Sequence, residues 1–434
     1  MKQQKWYVKV RDKFWFVPGC YGILSLIIVI GTSIMDQQLL RPVYNNVPSM
    51  LLVENNTATS LYSALVTALL TLTTISFSSI MVVLTTYATQ FTPRALQDFM
   101  KSPTTQHTLG VFTFGVLFTL VNMLLFSSEG NNQILMPMLT VLVALGCLAF
   151  FIIFIYHSTQ WLQVNHLISN IRADASKVIR DAYTYSGVNS FSEWSDDFRN
   201  DEETIVHAER SGYTNMVKMP ELIEWARQQE AVVECLFQVG DYVHQGEPLF
   251  RYWSKHSLSP KILRNFLLVG EERSNVQDIE FSMQKIVEIA LRAISPAIND
   301  PHTAANCINR IGALLSELSY EHKNDQYFAD NQDELRLFMP VKPFREYLYK
   351  SFYQLRLYGR EDISVMAACM EALTMLVKTG DSSVLKEVES FSRYMEQAVD
   401  EEQLADWDRE YWEKRVQEKD TALHQALTKS KQIT

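Results

Sequence analysis

The sequence predicts an α-helical membrane protein with four transmembrane helices, followed by a cytoplasmic α+β region. Four long segments within residues 1–185 lack Asp, Glu, Lys and Arg, which is typical of helices that cross a bilayer. Residues 186–257 join a polar connector to clusters of β-forming residues, which indicates a small β-module. Residues 258–434 follow a mostly helical period. We therefore expect a four-span domain whose fourth helix extends into the cytoplasm, then the connector with its β-module, then a helical cytoplasmic domain.

Charge is distributed unevenly along the 434 residues. Residues 1–185 carry 11 Lys and Arg against 7 Asp and Glu, whereas residues 186–434 carry 28 against 42. The acidic C-terminal part lacks the basic face that nucleic-acid binding requires, so we expect no nucleic-acid partner. The five cysteines are scattered without a CxxC pair, which argues against a zinc site or a disulfide framework. We expect no metal and no cofactor.

The four predicted spans are residues 14–35, 60–92, 108–126 and 134–156. Lys and Arg number five, two and three in segments 1–13, 94–107 and 157–185, but only one and none in segments 36–59 and 127–133. Basic loops tend to remain in the cytoplasm, so this asymmetry predicts a multi-pass protein with both termini cytoplasmic.

The second span carries a row of hydroxyl groups, and Pro93 ends it. As a helix it would be ~50 Å long, against a hydrocarbon core of ~30 Å. The hydroxyls recur at steps of three, four or seven, so they share one helix face, and a second row widens the polar arc. Helix packing and the wall of a pore are both open interpretations. In the second interpretation the pore-lining residues are Ser63, Thr67, Thr71, Thr74, Ser78 and Thr85.

Two motifs stand out in the soluble region. Residues 239–249 follow the pattern V-G-D-x-V-x-x-G-x-x-L, which resembles the hairpin of barrel-sandwich hybrid domains. A structural module is favoured over a cofactor carrier, because the attachment-like Lys218 precedes the hairpin. Asn299 and Asp300 form the second motif, for which an ion or ligand site is one interpretation. Since Pro301 follows directly, we favour a helix N-cap there.

Three motifs, in a fixed order, are similar to those of one known family. They comprise residues 78–94, residues 211–213, and residues 277–304 with the run Ser295-Pro296-Ala297-Ile298-Asn299-Asp300-Pro301-His302. On these motifs the chain resembles the bacterial membrane-protein family catalogued as the domain of unknown function twenty-two fifty-four. The resemblance implies four spans and a cytoplasmic domain in a bacterial inner membrane. It brings no assigned activity.

Several function classes lack their sequence features. There is no Gly-rich phosphate loop, G-x-S-x-G, HExxH or CxxC motif, so we predict that the chain is not an enzyme. A coupled transporter usually needs charged groups inside its spans, and none of the four has one.

A channel fits the sequence better. Four helices cannot enclose a wide pore, so we expect a homo-oligomer in the bilayer whose subunits each contribute the second helix. Hydroxyls without fixed charge predict weak selectivity for small inorganic ions, and the acidic cytoplasmic part favours cations. Met81 and Leu84 are the predicted gate. The alternative is a membrane-anchored sensor or scaffold whose cytoplasmic domain binds a ligand or protein partner.

Overall fold

The structure is a computed structural model of the chain. It describes residues 15–35, 55–90, 99–100, 102–129, 135–182, 188–195, 203–254, 259–323 and 326–433. Two compact units divide the chain: an N-terminal unit, residues 1–167, and a C-terminal unit, residues 168–434. The domain boundaries predicted after residues 185 and 257 stay predictions.

Long apolar helices form the described part of the N-terminal unit. They are α1 (Phe16–Met35), α2 (Asn55–Gln90), α3 (Pro103–Glu129) and α4 (Leu135–Trp161). All four are long and apolar enough to cross a membrane, with mean hydropathy from 1.9 to 2.9 over their best windows. The prediction of four apolar spans is therefore confirmed. The predicted stop at Pro93 lies outside the described residues.

Close packing of small residues places α3 in the middle of this unit. A Cβ on Gly110 would lie 2.5 Å from a ring carbon of Tyr21 in α1, and one on Gly115 would lie 2.5 Å from the Cys147 sulfur in α4. Ser25 of α1 donates a hydrogen bond to the Phe114 carbonyl at 3.1 Å. Small residues let helix backbones approach in this way where lipid supplies no hydrophobic drive.

The extension that the sequence predicts for the fourth helix is interrupted in the structure. Helix α4 ends at Trp161, and a separate helix, α5 (Val164–Ala182), begins three residues later. At the break, the Trp161 carbonyl accepts a hydrogen bond of 2.6 Å from the Tyr87 hydroxyl of α2. Helical periodicity on both sides of so short an interruption hides it from the sequence.

The C-terminal unit mixes helices with two small sheets. Its longer helices are α6 (Met219–Gln228), α8 (Ile279–Ala293), α9 (Pro301–Glu321), α10 (Phe344–Gly359), α11 (Ile363–Thr379), α12 (Leu385–Glu396) and α13 (Asp406–Ile433); α7 is a single turn (Pro260–Leu263). Its strands are β1 (Asn189–Phe191), β2 (Glu203–His207), β3 (Gly212–Val217), β4 (Ala231–Cys235), β5 (Tyr242–Val243), β6 (Pro248–Ser254), β7 (Leu267–Gly270), β8 (Tyr327–Ala329) and β9 (Leu335–Phe338).

The strand order adds pairings that the sequence does not predict. One sheet has the order β1-β8-β9-β4-β6-β2 and the other β5-β3-β7. Strands β7, β8 and β9 come from the segment that the sequence predicts to be mostly helical, because three- and four-residue strands leave no clear alternation. The mixed α/β character is confirmed, whereas the barrel-sandwich resemblance is not and stays a prediction.

Candidate functional site

The six predicted pore-lining side chains lie on an exposed face of α2. Ser63, Thr67, Thr71, Thr74, Ser78 and Thr85 are all exposed in the single chain. The opposite side of the helix packs against α3 and α4 and buries Tyr62, Leu69 and Val83 almost completely. The apolar side of α2 thus packs against other helices of the same subunit, whereas the hydroxyl row is left exposed.

The threonine hydroxyls of this row share one hydrogen-bonding arrangement. Thr67 donates to the Ser63 carbonyl at 2.9 Å and Thr71 to the Thr67 carbonyl at 2.8 Å. Thr74 and Thr85 make the same bond one turn back along the helix. Such a bond uses the hydroxyl hydrogen and leaves the oxygen lone pairs. The hydroxyl oxygens of these four threonines are therefore available as acceptors, which suit cations and water rather than anions.

The second hydroxyl row does not widen the exposed arc as the sequence suggests. Ser76 is buried, and Thr73, Ser79 and Thr86 are half-buried. Their hydroxyls also bond to carbonyls one turn back. These residues turn toward the packed side of α2, so the exposed polar face is a single row.

The predicted gate residues differ in their exposure. Met81 is 60% exposed and lies between Ser78 and Thr85 on the same face. Leu84 is half-buried beside the row. Met81 is thus a bulky apolar side chain in line with the hydroxyls, while the gating role of both residues stays a prediction.

The exposed faces of the other spans have a different chemistry. On α1 the large exposed side chains include Ile23, Ile27 and Ile30, and on α4 they include Leu142, Leu145 and Ile152. These branched aliphatic residues suit lipid tails. On α2, hydroxyls recur along the exposed face among Leu70, Ile75 and Phe77. Among the described residues of the N-terminal unit, this face therefore presents hydroxyl oxygens at regular intervals along one helix.

The second predicted site, Asn299 and Asp300, forms the start of α9. Asp300 is the N-cap: its carboxylate accepts from the Thr303 backbone N–H at 3.0 Å and from the Thr303 hydroxyl at 2.6 Å. Asn299 is exposed and has a φ of 51°, which suits Asn better than most residues. No group of three metal-ligating side chains occurs among the described residues. An ion or ligand at this turn stays a prediction.

The cap predicts a stability effect that separates the two interpretations. The hydrogen bonds from Thr303 lower the pKa of Asp300. The Asp300 carboxylate therefore contributes to folding stability above its unfolded pKa of ~3.9, and this contribution is lost as the pH falls through its lower pKa in the folded state. We expect Asp300→Ala to cost about 1 kcal/mol at neutral pH, measured by urea unfolding of the purified protein. Because Ser is also a good cap, Asp300→Ser should retain most of the stability; an equal loss in both variants would indicate a bound ion instead.

A buried charge network at the start of α8 is the feature that motif reasoning missed. Arg273 binds Asp278 with two contacts, Nε–Oδ2 at 2.5 Å and Nη2–Oδ1 at 3.1 Å. Glu280 lies 2.5 Å from Lys342 Nζ and 3.4 Å from Arg273 Nη2. The side chain of Asp278 is only 2% exposed and that of Glu280 only 8%. Four ionised groups are therefore removed from water together.

Burial and pairing act in opposite directions on these carboxyl groups. Burial raises the pKa of Asp278, and the pairing with Arg273 offsets only part of that effect. For Glu280, burial is outweighed by the Lys342 ammonium and Arg273, so its pKa lies below the ordinary value. Asp278 is also the N-cap of α8, since it accepts from the Phe281 N–H at 2.9 Å. An Asp directly before Ile279, the first apolar residue of the helix, was the available sequence signal.

The V-G-D turn of the hairpin packs directly on this network. Gly240 has a φ of +96°, and a Cβ there would lie 2.2 Å from Asp278 Oδ2 and 2.8 Å from Arg273 Nη2. The turn itself is held by Asp241, whose carboxylate accepts from the Gln238 N–H at 2.8 Å. Two of the sequence motifs, far apart along the chain, therefore meet at one buried ion pair.

Comparisons with known proteins agree with the four apolar helices. A family model described as "Predicted membrane protein (DUF2254)" matches residues 11–375. Similar proteins include "Uncharacterized protein Rv1290c" of Mycobacterium tuberculosis (strain ATCC 25618 / H37Rv) and "Uncharacterized protein Mb1321c" of Mycobacterium bovis. Each is 24% identical over 371 residues, which are 83% of this chain and 69% of the relative. No solved structure matches the chain.

Proposed function

Because this chain belongs to the predicted-membrane-protein family that matches residues 11–375, we propose that it acts within a membrane, as an oligomeric channel with weak selectivity for cations. The pore is lined by the hydroxyl row of α2, with Met81 and Leu84 as its gate. The membrane is the bacterial inner membrane, with both termini in the cytoplasm. The proposal assigns no enzymatic reaction and no cofactor to the chain.

The observation that supports this proposal is the exposure of the whole hydroxyl row. Ser63, Thr71 and Thr85 lie on a face of α2 that no helix of the same subunit covers among the described residues. Lipid makes a poor partner for such a face, because its acceptor oxygens gain nothing from hydrocarbon. In a closed ring of subunits the same face meets water on the symmetry axis.

Cation preference follows from two features of the chain. The threonines of the row present hydroxyl oxygens whose hydrogens are already bonded to backbone carbonyls, so they offer acceptors to a passing ion. Residues 186–434 carry 42 Asp and Glu against 28 Lys and Arg, which concentrates cations at the cytoplasmic mouth. Neither feature places a fixed charge in the path, so selectivity among cations is weak.

Cysteine modification in a reconstituted bilayer tests the pore directly. In a Cys20→Ser background, we expect Thr71→Cys to react with a quaternary-ammonium methanethiosulfonate and lose most of its cation current, because a fixed positive charge then stands in the path. A sulfonate reagent of the same size should leave cation selectivity equal or higher. The other cysteines are buried, and burial raises the pKa of Cys307 and of Cys369 to about 12, so their thiols stay unreacted.

The control is Leu145→Cys. The Leu145 side chain is 56% exposed and lies among aliphatic side chains of α4. The same reagents should leave the current of this variant unchanged. A wild-type protein that carries no current, or equal effects of both reagents at both positions, would refute the pore. If light scattering then also gave a monomer or dimer in detergent, a membrane-anchored sensor or scaffold would replace the channel.

A further inference from the structure

A cavity of about 450 Å³ lies inside the C-terminal unit, beside the buried charge network. Apolar side chains form much of its wall, among them Met219, Ile279, Phe328 and Met339. The volume falls in the range of small-molecule sites, which are mostly apolar with a few placed polar groups.

Among the described residues, the wall carries the carboxylates of Asp278, Glu280 and Glu321 and the ammonium groups of Lys323 and Lys342. Arg273, which does not line the cavity but pairs with Asp278, brings this set to no net charge. Glu280 and Lys342 line the cavity as an ion pair. Glu280 Oε2 lies 2.5 Å from Lys342 Nζ, and the two side chains are only 8% and 12% exposed. Asp278 also lines it and is neutralised by Arg273 behind it. Glu321 and Lys323 add one charge of each sign.

This balance discriminates between classes of ligand. A phosphorylated or multiply anionic ligand needs a surplus of Arg and Lys, which this wall lacks. A dication needs a surplus of carboxylates. A purely apolar ligand would offer no polar partner to the charged side chains of the wall. Among these classes, a ligand with both signs of charge on an apolar body matches the charged and the apolar parts of the wall.

We propose that this cavity binds a free organic zwitterion with an apolar side chain. Its ammonium group lies toward Glu280 and Glu321, and its carboxylate toward Lys342 and Lys323. The apolar body packs against Phe328 and Met339. This site is separate from ion conduction and stands whether or not the spans form a pore.

The Glu280–Lys342 pair supports this assignment. A buried ion pair often stabilises a fold no better than apolar residues of the same shape, because both ions lose their hydration. A zwitterion that enters beside it supplies one new partner to each ion, so no charge is left buried and alone at any stage. The pair thus provides a site for two opposite charges at a fixed separation.

Three probes with the same apolar body and different charge test the proposal. L-phenylalanine, phenylacetate and phenethylamine would be titrated by calorimetry into the full-length protein in phosphatidylglycerol nanodiscs. We expect L-phenylalanine to bind at least ~10-fold more tightly than either singly charged probe, which corresponds to one charge-assisted hydrogen bond. Equal or tighter binding of a singly charged probe, or no binding of all three, would overturn the proposal.

Variants locate the binding in this cavity. Met339→Trp fills the cavity and should abolish binding of L-phenylalanine, while Glu280→Gln combined with Lys342→Met should remove the preference for the zwitterion. Lys386→Met, an exposed position on α12, is the control and should bind as the parent does. Circular dichroism checks that each variant folds. Unaltered binding in the folded Met339→Trp variant would count against this cavity.

A second bilayer composition separates a free ligand from a lipid headgroup of the same chemistry. Phosphatidylethanolamine also carries an ammonium group and an anion on an apolar body. We expect the same affinity for L-phenylalanine in nanodiscs with and without it. A clear loss of affinity in phosphatidylethanolamine would assign the cavity to the lipid headgroup and refute a free ligand.

Discussion

Replacing Arg273 by Met is expected to lower the free energy of unfolding of the C-terminal unit by about 3–5 kcal/mol. The substitution removes the bidentate partner of Asp278, whose side chain is 2% exposed, and one of the two cations near Glu280. The remaining carboxylates must then stay charged without enough partners or become protonated. Urea unfolding of the full-length protein in detergent, followed by tryptophan fluorescence, measures the change.

A matched surface pair provides the control for Arg273. Arg227 also binds a carboxylate with two contacts, to Glu224 at 2.9 and 2.7 Å, but at an exposed position. We expect Arg227→Met to leave the urea midpoint almost unchanged, because water replaces the lost partner. Similar midpoints for the two variants would show that burial of the Arg273 network does not increase its contribution to stability.

Replacing Gly240 by Ala is also expected to lower the free energy of unfolding strongly. Ala at a φ of +96° is strained, at ~1–2 kcal/mol, and its Cβ would lie 2.2 Å from Asp278 Oδ2. Moving the carboxylate away would break its geometry with Arg273 and with the α8 N-terminus. Strain and overpacking together should cost at least ~3 kcal/mol, read from the same urea unfolding.

Gly246 separates the two contributions, because it has a φ of +84° in the same hairpin but no atom within 4 Å of the added Cβ. Gly246→Ala should therefore show the backbone strain alone, at ~1 kcal/mol. If both alanine variants lost the same stability, contact with the buried pair would contribute nothing. The loss of stability in both variants would then come from backbone strain alone.

Long, regular signals in the sequence predict local structure correctly. The second span is uncharged over more than 30 residues, and its hydroxyls repeat at helical steps, so both the helix and the shared face of Thr67, Thr71 and Thr74 follow from periodicity. Asp300 was likewise predictable as a cap, since an Asp directly before a Pro is a local signal.

Contacts between positions that are distant along the chain are not predicted by the sequence pattern. At the end of α4, the Trp161 carbonyl accepts a hydrogen bond from the hydroxyl of Tyr87, 74 positions away in sequence. Strands β8 and β9 are short and pair with each other, but β9 also pairs in parallel with the distant β4, where Val233 lies opposite Leu337. The pairing of Glu280 with Lys342 joins positions 62 apart. No pattern within one segment contains these contacts.

The sequence by itself determined the four apolar helices, the hydroxyl face of the second and the acidic character of the soluble part, because each is a property of composition or of period along one segment. Only the tertiary structure decided which side of α2 the subunit covers, and that Gly240 meets the buried Asp278–Arg273 pair. Helical periodicity defines faces but not their neighbours. Neighbours are set by packing between distant segments, and the charge network and its cavity exist only in that packing.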